Sequence, residues 1–161
     1  MPENNHVAFH GLPTDAVRAL QRGGTDANGQ PPERATSDGD GTPCRHCLTM
    51  IEEGEAMLVL AHRPFETVQP YAEIGPVFLH ARECEPYDGA ADALPPVLED
   101  SPDYIVRGYD RQERIVYGTG GVVARESVVE RAADVLTRED VAFVHIRSSR
   151  NNCWQARAER E

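Results

Sequence analysis

The chain has 161 residues, with 16 basic side chains against 27 acidic ones and a formal charge of −11. That length and a 40% hydrophobic share fit one globular domain with a buried core. An acidic surface repels phosphate backbones, which excludes general nucleic-acid binding. The longest apolar run, Ala56–Ala61, is far short of the roughly 18 residues a membrane helix needs. The first 22 residues hold no apolar run of the kind that opens a secretory leader, so a cytoplasmic location is expected. All the basic residues are Arg and they scatter along the chain, which fits compositional bias better than a binding patch. Without Lys there is no Schiff-base chemistry and no Walker-type phosphate lysine.

The pattern predicts three regions within one domain: an N-terminal strand and short helix over 1–22, a flexible loop over 23–43, and a main α+β body over 44–161. His6 to Leu12 is a partly alternating apolar stretch. Thr14 to Gln21 reads as a helix capped by Thr14, with Val17 and Leu20 on one face and Gly23 and Gly24 ending it. Residues 23–43 hold five Gly, three Pro and three Asp, too little apolar surface to repay ordering. Ala56–His62 and Pro76–Ala81 read as strands, and 85–103 as irregular chain. Tyr104–Tyr109, Arg114–Tyr117 and Val122–Ala124 follow as short strands. Glu126–Thr137 is the clearest helix, with Ser127 and Glu130 spaced as a capping box. Val141–Arg147 and Asn152–Ala158 close the chain as a hairpin. Many strands with two short helices give an α+β fold, mainly antiparallel sheet, carrying a zinc-knuckle-like loop.

Three of the four cysteines stand with one histidine in metal-ligand spacing. Cys44-Arg-His-Cys47 is a C-x2-C pair, and His80-Ala-Arg-Glu-Cys84 is an H-x3-C pair. Zinc takes four soft or borderline ligands in a tetrahedron: a tight turn delivers the first two, and the end of a distant strand the second two. Cys44 and Cys47 could also form a redox pair, but no βαβ context surrounds them. A disulfide requires an oxidising compartment, and buried core thiols are the remaining alternative. Zinc at Cys44, Cys47, His80 and Cys84 is the favoured reading. A closed Cys3His shell leaves no open position, so the ion is expected to be structural. His46, Glu83, Glu52 and Glu55 lie near the ligands, and charged side chains so placed are usually just solvated.

The C-terminal hairpin is the other concentrated polar region. Alternation puts His145 and Arg147 on one face of its first strand. An even-numbered loop pairs Arg147 with Asn152 and Ile146 with Cys153, making Cys153 a core thiol and putting Trp154 beside His145; an odd loop reverses this. His145, Arg147, Arg150 and Asn151 are the candidate ligand-binding residues, set against the plainer reading of a polar turn. Tyr117-Gly-Thr-Gly-Gly121 sits between strands and reads as a turn. Arg63, Tyr71 and Glu73 flank prolines in a loop.

Several of these segments together resemble a known family. Cys44-Arg-His-Cys47-Leu, Arg63-Pro-Phe, Pro70-Tyr-Ala-Glu, Gly75-Pro-Val-Phe-Leu-His80, Arg107-Gly-Tyr-Asp, Tyr117-Gly-Thr-Gly and His145-Ile-Arg147 resemble, in order, the bacterial domain-of-unknown-function family 1203. The resemblance implies a bacterial, cytoplasmic, single-domain protein and no assigned activity. The cysteine and histidine spacing is also similar to the poly(ADP-ribose) polymerase type of zinc finger. Here the order is H-x3-C and the basic surface of a DNA-end binder is missing, so only the metal geometry carries over. The expected function is binding a protein or small ligand, with no nucleic acid or membrane partner. The alternative is a small enzyme using His145 and Arg147 in a pocket between the knuckle and the hairpin.

Overall fold

A computed structural model describes residues 6–161. The chain forms two compact units, one from the residues up to His10 together with Gly89–Glu161, the other from Gly11–Asp88. Every paired strand is antiparallel, and the two short helices leave an α+β fold dominated by sheet, as the sequence predicts.

The first unit is a five-stranded sheet. β1 (Val7–His10), β5 (Asp103–Tyr109), β6 (Gly121–Ala124), β7 (Phe143–Ser148) and β8 (Trp154–Arg160) lie in the order β1-β8-β7-β5-β6. β7 is central and buried at five of its six residues. α2 (Val128–Val135) lies against β5 and buries Val128, Ala132 and Val135. Its expected capping box does not form. Residues Arg125–Ser127 make a 3-10 turn instead, and Ser127 is helical at φ −105° and ψ 0°, whereas a capping side chain needs extended backbone. The segment 114–117 is also not a strand: only Ile115 bridges, to Tyr109. The run at 117–121 is a turn, tied down by buried Thr119, which accepts from Gly108 N and donates to Val116 O.

The second unit carries β2 (Glu33–Thr36), β3 (Ala56–His62) and β4 (Gly75–His80) in sequential order. β2 lies inside the segment for which composition predicts a loop. Its four residues are all exposed, so it has no apolar alternation to announce it, and pairing with β3 makes it a strand. Asp26 anchors the same segment by accepting from Asn28 N, Gln30 N and, across to β3, Ala61 N, and these bonds hold its carboxyl below the usual range. α1 (Thr14–Gln21) has the expected bounds and buries Val17 and Leu20. Its cap position is Pro13, and the Thr14 hydroxyl bonds elsewhere. Leu48, Ile51, Leu58, Leu79 and Met57 fill the unit's interior, each worth about 1.5–3 kcal/mol when fully buried.

Candidate metal centre

Cys44 to Met50 forms a tight knuckle. Cys44 N donates to Thr49 O, Leu48 N donates to Cys44 O, and Pro43 bridges Met50. The turn requires φ +57° at Leu48. That left-handed backbone costs a residue with a Cβ about 1–2 kcal/mol, offset by complete burial of the leucine side chain. The knuckle is fixed to β4, where Cys44 bridges Phe78 and Arg45 N donates to Phe78 O. β4 ends at His80, and Cys84 follows one short turn later. On the other side, Leu12 N donates to Arg45 O and Tyr87 N to His46 O.

This frame brings Cys44, Cys47, His80 and Cys84 together, with one potential ligand atom from each lying within 4.8 Å of all the others. Cys44 Sγ is 3.9 Å from Cys84 Sγ, and Cys47 Sγ is 3.5 Å from His80 Nδ1. His80 N points at Cys44 Sγ at 3.4 Å, the arrangement of a backbone amide supporting a thiolate. All four cysteines are free, so no disulfide competes for these sulfurs. Three of the four residues are buried and Cys47 is half-buried. The donor set fits a metal ion: three convergent sulfurs and one imidazole nitrogen, enclosed.

The close approach of these side chains shifts their proton affinities in opposite directions. Hydrogen bonds from Cys44 and then Cys84 push the Cys47 thiol down, and hydrogen bonds to Cys44 and Cys47 push Cys84 up. His80 is raised to about 10 by Cys44 and Cys47.

A second layer of side chains surrounds the four. Glu55 Oε2 lies 3.4 Å from His80 Nε2 and its other oxygen pairs with Arg82. The Thr49 hydroxyl is 3.1 Å from Cys47 Sγ. His46, fully buried, sits between Cys84 Sγ at 3.1 Å and Thr14 Oγ1 at 2.9 Å. Burial first, and then Arg18, push its imidazole below the ordinary histidine value. These contacts correct the expectation that charged neighbours of the ligands are merely solvated. It holds for exposed Glu52, whereas Glu83 pairs with Arg18 and Arg22, and His46 and Glu55 face the cluster. The missed signal is positional: a residue between two closely spaced ligands is carried into the interior by the turn that makes the site.

The hairpin residues lie in the first unit. His145 and Arg147 are buried on β7, while Arg150 and Asn151 are exposed in the turn. The register differs from the even-loop expectation. Arg147 faces Trp154, Ile146 faces Ala156, and a bulge falls between Ile146 and Arg147. Cys153 is therefore half-buried at the turn rather than a core thiol. Trp154 does fall beside His145, with ring centroids 5.9 Å apart, and Tyr109 and Phe143 approach the same imidazole at 4.7 and 5.0 Å. Tyr71 and Glu73 lie in the β3–β4 connection, where Glu73 N donates to Tyr71 O.

Residues 41–160 match the family described as "Protein of unknown function (DUF1203)", and the chain belongs to that family. The matched segment contains all four cluster residues and begins after β1, α1 and β2. No curated protein and no solved structure matches the chain. Among the described residues, no helix is long and apolar enough to cross a membrane.

Proposed function

We propose that Cys44, Cys47, His80 and Cys84 hold one structural zinc ion and that the chain is a zinc-stabilised binding module. The observation that carries the zinc assignment is the size of the cluster. A tetrahedral zinc with bonds of about 2.3 Å to sulfur and about 2.05 Å to nitrogen has ligand edges of about 3.8 Å (sulfur–sulfur) and about 3.6 Å (sulfur–nitrogen). The Cys44–Cys84 sulfur–sulfur edge is 3.9 Å and the Cys47–His80 sulfur–nitrogen edge is 3.5 Å, and no two of the four ligand atoms are more than 4.8 Å apart. A soft set with three thiolates favours zinc over magnesium, calcium or manganese. Four protein ligands complete a tetrahedron, which suits support of the fold rather than activation of water.

Cobalt(II) titration of chain freed of metal tests this. Tetrahedral thiolate coordination gives intense visible bands and sulfur-to-metal charge transfer, both reduced in a Cys84→Ser variant. A pale octahedral spectrum, unchanged by that variant, contradicts the assignment.

The binding part of the reading is supported by a groove of about 380 Å³ in the same unit, within the size range of small-ligand sites. Val59, Leu60, Ile74 and Pro76 give it apolar walls, with Asn28, Gln30 and Glu33 contributing polar groups. Such a lining suits a small molecule with an apolar body and a cationic or amide head. Amide shifts at Leu60, Ala61 and Ile74 on titration with a library of such compounds are the expected result. Shifts confined to other regions, or none, count against it.

A further inference from the structure

We propose that His46 is a positioning residue of the metal shell, and that it ties α1 to the ion: its Nδ1–H donates to the Cys84 thiolate while Thr14 of α1 holds the ring from Nε2. The inference rests on the zinc reading above and goes further, because it adds to the centre a segment that precedes the family match.

The geometry begins with the sequence of α1. Thr14, Arg18 and Gln21 are spaced i, i+4 and i+7, which places them along one helical stripe. All three reach the cluster. Thr14 Oγ1 is 2.9 Å from His46 Nε2. Arg18 donates to the carbonyl of Cys84 at 2.7 Å. Gln21 Nε2 donates to the carbonyl of His80 at 3.0 Å and of Arg82 at 2.7 Å. The helix therefore touches two of the four ligand residues through their backbones and a third element, His46, through its ring.

Hydrogen-bond inventory then assigns the protons. A thiolate bound to a metal can only accept, so the nitrogen 3.1 Å from Cys84 Sγ must carry hydrogen. His46 is fully buried, which disfavours a charged ring, and a neutral ring with its proton on Nδ1 leaves Nε2 as an acceptor. The Thr14 hydroxyl fills that role as donor. The other neutral tautomer sets a nitrogen lone pair against the sulfur lone pairs. A hydrogen bond onto the thiolate spreads its charge and fixes its direction, and loss of such an outer partner typically weakens metal affinity by about 10–100-fold.

The test uses the zinc-loaded full chain with nitrogen-15 histidine. Long-range proton–nitrogen spectra are expected to show His46 neutral with its proton on Nδ1; a proton on Nε2, or on both nitrogens, overturns the inference. Zinc release to excess chelator is then compared among variants. His46→Leu is expected to release zinc about tenfold faster or more. His46→Asn, whose side-chain NH2 occupies the place of Nδ1, is expected to recover most of that loss. Equal release by the two variants overturns a donor role. Thr14→Val preserves the helix and serves if His46→Leu does not fold: it is expected to speed release several-fold, and a wild-type rate overturns the part assigned to α1. A chain that takes up no zinc defeats both readings, whereas a zinc-loaded chain with the wrong tautomer defeats this one alone.

Discussion

Glu55 Oε2 stands 3.4 Å from His80 Nε2, on the opposite edge of the ring from the nitrogen that faces the cysteines. A carboxylate in that position fixes which nitrogen is free to bind metal and makes it a better donor. Glu55→Gln weakens the carboxylate partner without changing the shape, and zinc affinity measured by competition with a chromophoric chelator is expected to fall about tenfold. Arg82→Ala provides the contrast. Arg82 is an exposed partner of the same carboxylate, so its removal is expected to cost under about 1 kcal/mol of stability and leave zinc affinity nearly unchanged.

The knuckle allows no side chain at Gly11. A Cβ there would press on the carbonyl oxygens of Arg45 and His46, 2.5 Å from the latter, and both are backbone atoms of the turn between two ligands. Gly11→Ala is expected to destabilise the chain by about 1–3 kcal/mol or more and to speed zinc release. At Gly108 a Cβ would meet Val135 Cγ1 at 2.8 Å and Thr119 Oγ1 at 3.1 Å. Gly108→Ala is expected to cost about 1–3 kcal/mol in denaturant unfolding while leaving zinc content unchanged.

His62 gives a pH dependence whose sign is fixed. Burial, then Arg45 and Arg63, depress its imidazole from 6.5 to about 4. Between those values the unfolded chain binds a proton that the folded chain refuses, so this group's effect is to lower stability as pH falls from about 6.5 towards 4. The shift sets an upper limit of about 3 kcal/mol, reduced by the ring's partial exposure. Protonation of the metal ligands acts in the same direction, so the comparison is with His62→Gln. That variant is expected to lose less stability than wild type over this window, and parallel curves contradict the assignment.

Removal of the ion should be felt first where its ligands are. All four belong to Gly11–Asp88, and structural zinc binding is coupled to folding. Amide exchange after chelation is expected to rise at Cys44, Leu48 and the residues of β4 well before it rises along β7. Uniform exchange along the chain would show that the ion does not support this unit in particular.

Much of this was legible in the sequence because the signals were local. The apolar run of β3 and the amphipathic stripe of α1 announced those elements within a residue or two, and the C-x2-C and H-x3-C spacing named all four cluster residues. What stayed hidden depended on partners far along the chain. β2 has no apolar pattern and exists through pairing with β3. The hairpin register depended on one bulge at Arg147. Thr14 looked like a helix cap, yet its hydroxyl is spent on an imidazole 32 residues away. His46 and Glu55 were visible as polar residues near the ligands, but only the folded turn shows that they face inward.

The central claim is most directly tested by metal content. Mass spectrometry on the full chain, purified without added metal or chelator, is combined with thiol titration before and after metal removal. One zinc per chain, with three thiols becoming reactive on its removal and thermal unfolding moving to lower temperature, is the predicted result. Metal-free protein whose thiols react equally with and without chelator, and whose unfolding does not respond to zinc, contradicts it.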